Sequence, residues 1–180
     1  MSNQKKYLFK VVVVGDGGIG KSTMIQYLKT GRYIPMRITI GTDLFTHSYV
    51  FNDIHVKLQI WDFAGESRFR FFLPNYARGA HGCLLCYDIT RYTSFENLME
   101  WYNIVKNSAP NVEFILVGEK YDLAVLKRTV KKKMGQEFAK KMKIPYFFET
   151  SSVTGYNNNL IFETMAKLLL EKREEIVQEN

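Results

Sequence analysis

Eight residues near the amino terminus, Gly15-Asp16-Gly17-Gly18-Ile19-Gly20-Lys21-Ser22, leave this chain few folds to choose from. They spell G-x-x-x-x-G-K-S. The apolar run Leu8–Val14 precedes them, and a helical stretch from Lys21 to about Lys29 follows. A strand that turns through glycines into a helix aims backbone N–H groups at phosphate oxygens. The helix N-terminus adds its positive end, the lysine reaches the β- and γ-phosphates, and the serine hydroxyl ligates Mg²⁺. A chance glycine-rich turn does not come with this context. The segment predicts an α/β fold that binds a nucleotide.

The rest of the chain keeps that rhythm. Thr46–Phe51 and Val56–Trp61 read as strands joined by the hairpin signal Asn52-Asp53. Gly82–Tyr87 and Phe114–Val117 are apolar enough for central strands buried on both faces, and Tyr146–Phe148 is a last short strand. Three apolar stripes at helical spacing fill the gaps: Phe95, Leu98, Met99 and Tyr102; Val130, Met134, Phe138 and Met142; Phe162, Met165, Ala166 and Leu169. The order βαββαβα predicts a mostly parallel sheet with helices on both faces. Residues 1–180 contain no linker, repeat or low-complexity stretch, so one domain is expected. Cys83 and Cys86 sit three apart in a strand and so point to opposite faces, as core thiols rather than a redox or metal pair. Without a disulfide framework, a reducing, cytoplasmic setting is expected.

A phosphate loop alone does not name the base. Trp61-Asp62-Phe63-Ala64-Gly65-Glu66 ends a strand with a carboxylate suited to a place beside Mg²⁺, and the Gly65 N–H can approach a γ-phosphate. Gly118-Glu119-Lys120-Tyr121-Asp122 ends the next apolar strand, and Glu149-Thr150-Ser151-Ser152 ends the last. All lie at the carboxyl edge of a parallel sheet, where α/β proteins hold ligands. An aspartate there can accept from guanine N1–H and N2–H; adenine lacks the N1–H.

These motifs together make the chain resemble a Ras-superfamily small GTPase along nearly its whole length. It is most similar to the Rab branch, through Thr39-Ile40-Gly41-Thr42-Asp43, Lys57-Leu58-Gln59-Ile60-Trp61-Asp62, Arg68-Phe69-Arg70, Tyr76-Ala77-Arg78-Gly79-Ala80-His81-Gly82 and Tyr87-Asp88-Ile89-Thr90. The resemblance implies a P-loop NTPase small G domain that binds GTP and GDP with Mg²⁺ and hydrolyses GTP slowly. Nucleotide contacts are implied for Gly15, Gly17, Gly18, Ile19, Gly20, Lys21, Ser22 and Thr23 of the phosphate loop. Tyr33 would pack on the guanine edge. Lys120 and Asp122 would hold the base, the Ser152 N–H would meet its O6, and Ser151 and Val153 would also contact the nucleotide. Ser22, Thr39 and Asp62 would serve the metal, with Thr39 also sensing the γ-phosphate. Lys21, Thr39, Gly65 and Glu66 would surround the reaction. Effectors, exchange factors and activating proteins would read residues 33–45 and 65–76.

Four departures from that pattern stand out. Glu66 replaces the glutamine that orients the attacking water; a carboxylate can accept from water but cannot donate to phosphoryl oxygens. Glu119 replaces an asparagine, so it cannot donate to guanine N7 unless it carries a proton. The Lys21–Thr39 stretch is one residue shorter than the family norm and carries Met36-Arg37, where Arg37 reads as an exposed residue that contacts partners, with a positive charge in cis as the alternative. The sequence ends Gln178-Glu179-Asn180 without the cysteines of a prenylation signal, and Ser2 stands where N-myristoylation needs glycine.

The net charge of +7 favours anionic partners. Lys127, Arg128, Lys131, Lys132, Lys133, Lys140, Lys141 and Lys143 surround one amphipathic helix. Its aromatic residues look buried rather than set out for stacking, so nucleic acid is not expected, and contact with anionic membrane is expected to be weak at most. A monomer is expected. The reading in view is a switch whose GTP form recruits partners; the alternative is a GTP-locked protein with little turnover. An ATP-using kinase is disfavoured by Lys120-Tyr121-Asp122 and by the lack of an arginine-rich lid insertion.

Overall fold

A computed structural model describes residues 5–37 and 39–178. Ser2, the terminal Glu179-Asn180 and Ile38 of the 33–45 segment lie outside the described residues. Six strands form one sheet: β1 (Lys6–Val14), β2 (Thr42–Phe51), β3 (Ile54–Phe63), β4 (Gly82–Asp88), β5 (Glu113–Glu119) and β6 (Tyr146–Glu149). Their spatial order is β2-β3-β1-β4-β5-β6. Only the β2–β3 pair is antiparallel; the other four pairs are parallel.

The antiparallel pair follows from its turn. Asn52 and Asp53 take φ of 45° and 65°, the left-handed backbone that a two-residue hairpin needs and that Asn and Asp tolerate. Both strands run longer than the apolar pattern suggests, because pairing continues from Thr42↔Phe63 to Phe51↔Ile54 through polar residues.

The central strands are apolar on both sides because each face is covered. Val11 and Val13 pack with α1 (Lys21–Thr30) and α7 (Asn158–Gln178); Val12 and Val14 pack with α2 (Leu73–Ala77), α4 (Leu98–Ser108) and α6 (Lys132–Lys141). Cys86 lies in the first layer and Cys83 in the second, both fully buried and free. Burial pushes both thiols well above their usual range, which keeps them inert. Phe162, Met165, Ala166 and Leu169 all face the core, as their spacing predicts.

Two helical stripes are broken in ways that spacing does not reveal. Phe95 belongs to a separate short helix, α3 (Tyr92–Glu96), ahead of α4. Val130 is buried but precedes α6, because the N–H groups of Thr129 and Val130 both donate to the Ile89 carbonyl and hold that segment extended. A further short helix, α5 (Ala124–Lys127), follows β5. Parallel strands with these crossovers put the ends of β1, β3, β4, β5 and β6 on one edge, and the phosphate loop there leads into α1.

Candidate functional site

A cleft of about 440 Å³ opens at that edge. The phosphate loop forms its floor. Gly15 ends β1 with φ 140°, and a Cβ there would lie 2.2 Å from the Cys86 carbonyl oxygen, so only glycine fits. Lys21 is buried, and its ammonium donates to the Gly15 carbonyl at 2.8 Å and to the Asp16 carbonyl at 2.9 Å. Burial lowers its pKa, opposed by Asp62 and more weakly by other nearby groups. A desolvated cation held only by carbonyls gains most from an arriving anion.

Three oxygen side chains meet beside Lys21. The Ser22 hydroxyl lies 2.5 Å from Thr39 Oγ1 and donates to Asp62 Oδ2. Thr39 Oγ1 reaches the same carboxylate oxygen at 3.4 Å. The second oxygen, Asp62 Oδ1, is buried without a partner. Burial raises the Asp62 pKa, while Ser22 and Lys21 pull it down. Two hydroxyls and an under-satisfied carboxylate are a hard, all-oxygen donor set, which fits Mg²⁺ completed by phosphate and water. Among the described residues no cluster of three or more His, Cys, Asp or Glu side chains competes for a metal.

Gly65 closes the loop from the β3 side. A Cβ there would lie 2.2 Å from the Asp16 carbonyl carbon, so the backbone of residue 65 rests directly on the phosphate loop. Glu66, the next residue, does not line the cleft. Its carboxylate pairs with Arg68 Nε at 2.6 Å.

The other end of the cleft is formed by the loops that follow β5 and β6. Lys120 takes φ 68°, which turns β5 into a short 3₁₀ turn carrying Asp122. The Lys120 ammonium pairs with Asp88 at 2.6 Å and donates to the Gly18 carbonyl at 3.1 Å, tying this loop to the phosphate loop. Asp122 Oδ1 accepts from the Ser151 hydroxyl at 2.6 Å. Ser151 is therefore buried behind Asp122 rather than on the wall, which Ser152 and Val153 supply. The Val153 and Thr154 N–H groups donate to Ser151 Oγ at 3.2 Å and fix that loop.

Of the residues expected at the site, Gly17, Gly18, Gly20, Lys21, Ser22, Thr23, Tyr33, Thr39, Gly65, Lys120, Asp122, Ser152 and Val153 line the cleft. Gly15 and Ile19 lie beneath it, and Ile19 is wholly core. Asp62 reaches it through Ser22 and Thr39. Arg37, together with Met36, Phe63 and Leu123, also lines it.

Glu119 is the surprise. It lines the cleft yet is only 1% exposed. A Cβ on Gly20 would lie 3.3 Å from its Oε2, and its Oε1 is buried without a partner. Lys120, the neighbouring cation, is already engaged. Burial raises the Glu119 carboxyl from 4.5 to about 8, with Asp88 and Asp122 adding to the rise and Lys21 and Lys120 opposing it. Buried and without a cation of its own, this carboxyl is one whose charged form is disfavoured.

Asp16 was not singled out in the sequence beyond its motif. Its carboxylate accepts from Trp101 Nε1 at 2.8 Å, Asn97 Nδ2 at 2.8 Å and Arg70 Nη2 at 3.0 Å. Arg70 also pairs with Glu100 and stacks on the Trp101 ring. Arg91 donates to the Gly17 carbonyl at 2.7 Å. These partners are 54 to 85 residues from the loop, and no spacing rule reaches them.

Comparison with known proteins places these features in company. The model of the Ras family matches residues 10–171. The GTP-binding protein ypt1 of Schizosaccharomyces pombe is 38% identical over 174 residues, covering 96% of this chain and 85% of the relative. The Ypt/Rab-type GTPase ypt7 of the same organism is 40% identical over 178 residues, covering 95% and 86%. Ras-related protein Rab-1A of Dictyostelium discoideum is 40% identical over 168 residues, covering 92% and 82%.

Proposed function

This chain belongs to the Ras family and is Rab-like within it, a guanine-nucleotide switch that hydrolyses GTP; on that premise we propose which of its residues run the switch. The carrying observation is a cleft with a buried, carbonyl-held Lys21 at one end and a serine-braced Asp122 at the other. One end recognises phosphate and the other recognises guanine. Residues 1–180 act as one G domain and as a monomer.

Ser22, Thr39 and Asp62 would hold Mg²⁺, which would neutralise the β- and γ-phosphate charge when bound. Lys21 exchanges its two carbonyl partners for phosphate oxygens. Tyr33 and Arg37 close the cleft from the 33–45 side, and the Gly65 N–H faces the terminal phosphate. Thr39 makes its contact only when a γ-phosphate is present, so the 33–45 segment is ordered by GTP and released by GDP. Regulators and effectors read that difference. Ile40, Leu44 and Phe71 are exposed apolar side chains on the two segments, which supports docking there.

Identifying the nucleotide retained through purification tests base choice and turnover together: GDP or GTP is expected, and a bound adenine nucleotide would sink the proposal. Thr39→Ala should lower Mg²⁺-GTP affinity about tenfold or more while leaving GDP affinity nearly unchanged, since one charge-assisted contact is lost in one state. Isothermal titration of both nucleotides decides it. An unchanged GTP:GDP ratio refutes the switch role of Thr39.

Slow hydrolysis follows from Glu66. Its carboxylate is turned to Arg68, and its charge opposes an anionic transition state. Glu66→Gln should raise single-turnover phosphate release several-fold, because an amide both accepts from water and donates to phosphoryl oxygen. Equal rates for the two proteins would place water activation elsewhere.

A further inference from the structure

The charge of this protein is not spread over it. Residues 123–143 carry eight lysines and arginines and one acidic residue, Glu137; the rest of the chain carries seventeen of each sign. The entire net charge of +7 therefore resides in one segment of 21 residues.

The fold turns that segment outward. Lys127, Lys131, Lys132 and Lys133 are all exposed, as are Lys140, Lys141 and Lys143 at the far end of α6. Arg128 is spent on the buried Glu149, which it grips at 2.6 Å and 3.0 Å. Among the described residues, Lys133 alone of the seven lysines has a carboxylate partner, Glu137 at 3.7 Å. The buried side of α6, with Gly135 and Ala139, anchors the helix to the sheet, so the lysine face is fixed rather than trailing.

Two exposed aliphatic side chains immediately precede this run of lysines. Val125 is 96% exposed and Leu126 is 80% exposed, side by side on α5. Neither joins a core cluster. The segment around them is pinned by Arg128–Glu149 and by the Thr129 and Val130 bonds to Ile89, so it cannot fold them inward. Leaving both in water forgoes burial that their size would otherwise provide.

We propose that this face, formed by Val125 and Leu126 together with Lys127, Lys131, Lys132 and Lys133, docks on an anionic lipid surface. Lysines at the headgroup level are attracted to acidic lipids, and adjacent aliphatic side chains gain by entering the headgroup–acyl boundary. An acidic protein would satisfy the lysines but offers no general reason for an exposed aliphatic pair beside them. A nucleic acid would call for exposed aromatic or arginine side chains, and the only arginine here is occupied.

The test uses the whole GDP-loaded chain and sedimentation with vesicles of phosphatidylcholine, with and without phosphatidylserine. Binding is expected to the phosphatidylserine vesicles at about 0.1 M salt, weakened at about 0.5 M, and absent with phosphatidylcholine alone. Lys131→Glu with Lys132→Glu should reduce partitioning at least about tenfold, given the attraction per lysine near such a surface. Val125→Ser with Leu126→Ser, which alters no charge and no packed residue, should reduce it by a similar order. Lys57→Glu with Lys29→Glu, the same charge change placed elsewhere, should leave most of it. Retained nucleotide and far-UV circular dichroism confirm each fold. Equal losses from the two charge variants would mean that net charge alone acts, and would overturn the proposal. So would full binding by the Val125/Leu126 variant, or capture by a single-stranded RNA homopolymer without any vesicle binding.

Discussion

Replacing Asp122 with asparagine is expected to cut GTP and GDP affinity by roughly 10² to 10⁴-fold while admitting xanthine nucleotides. The wild-type carboxylate offers acceptors to guanine N1–H and N2–H, and Ser151 holds it in place through Oδ1. An asparagine preserves the Ser151 bond through its own oxygen. Its amide then points an N–H at the position of the guanine amino group, two donors meeting, and the penalty is that of an unpaired buried polar group. Xanthine carries an oxygen at that position and restores the match. Competition of xanthosine, guanosine and adenosine triphosphates against a fluorescent nucleotide reads the change. Unaltered ranking in the variant, or equal ATP and GTP binding in the wild type, would remove Asp122 from base recognition.

The second large effect belongs to Glu119 and depends on pH. With its pKa near 8, the carboxyl carries a proton at neutral pH and can donate where the family's asparagine donates. Above pH 8 the donor is lost and a buried negative charge takes its place. Spontaneous GDP dissociation should therefore accelerate by roughly tenfold or more between about pH 7 and pH 9, the scale of one lost buried hydrogen bond. Glu119→Asn keeps its donors at every pH, so it should match the wild type near pH 6 and hold nucleotide longer at pH 9. Stability carries the same signature. The folded state retains a proton that the unfolded chain, with an ordinary carboxyl, releases above about 4.5. Between that value and about 8 the folded form binds more protons, so stability falls as pH rises. Parallel pH profiles for the two proteins would mean that Glu119 stays ionised or stays silent.

The legible part of this molecule was the part written locally. A strand, a glycine turn and a helix are contiguous, so the phosphate loop could be placed to the residue. Asn52-Asp53 announced the hairpin, and the three-residue offset of Cys83 and Cys86 told their opposite faces. Asp122 was found because parallel strands gather their carboxyl ends on one edge. What stayed hidden depends on neighbours far along the chain. Glu119 reads as a charged residue in sequence; only its burial beside Gly20 raises its pKa. Glu66 reads as a base near the reaction; only the place of Arg68 shows where its carboxylate goes. Val130 fits a helical stripe in register, and the carbonyl of Ile89 takes it out.

The knot around Asp16 limits how this sequence can drift. Three donors from two later segments converge on one carboxylate, so Asp16, Arg70, Asn97 and Trp101 form a set whose members fit only one another. An alanine at position 16 strands an indole N–H and an amide and leaves Arg70 with Glu100 alone. A phenylalanine at 101 leaves the Asp16 carboxylate one donor short and shrinks the ring face on which Arg70 rests. Each single step passes through a less stable protein, while paired steps need not. These four positions are therefore expected to change in concert over evolutionary time, and chimaeras that splice the first thirty residues of one such protein onto the body of another should fail or succeed according to whether the set arrives intact.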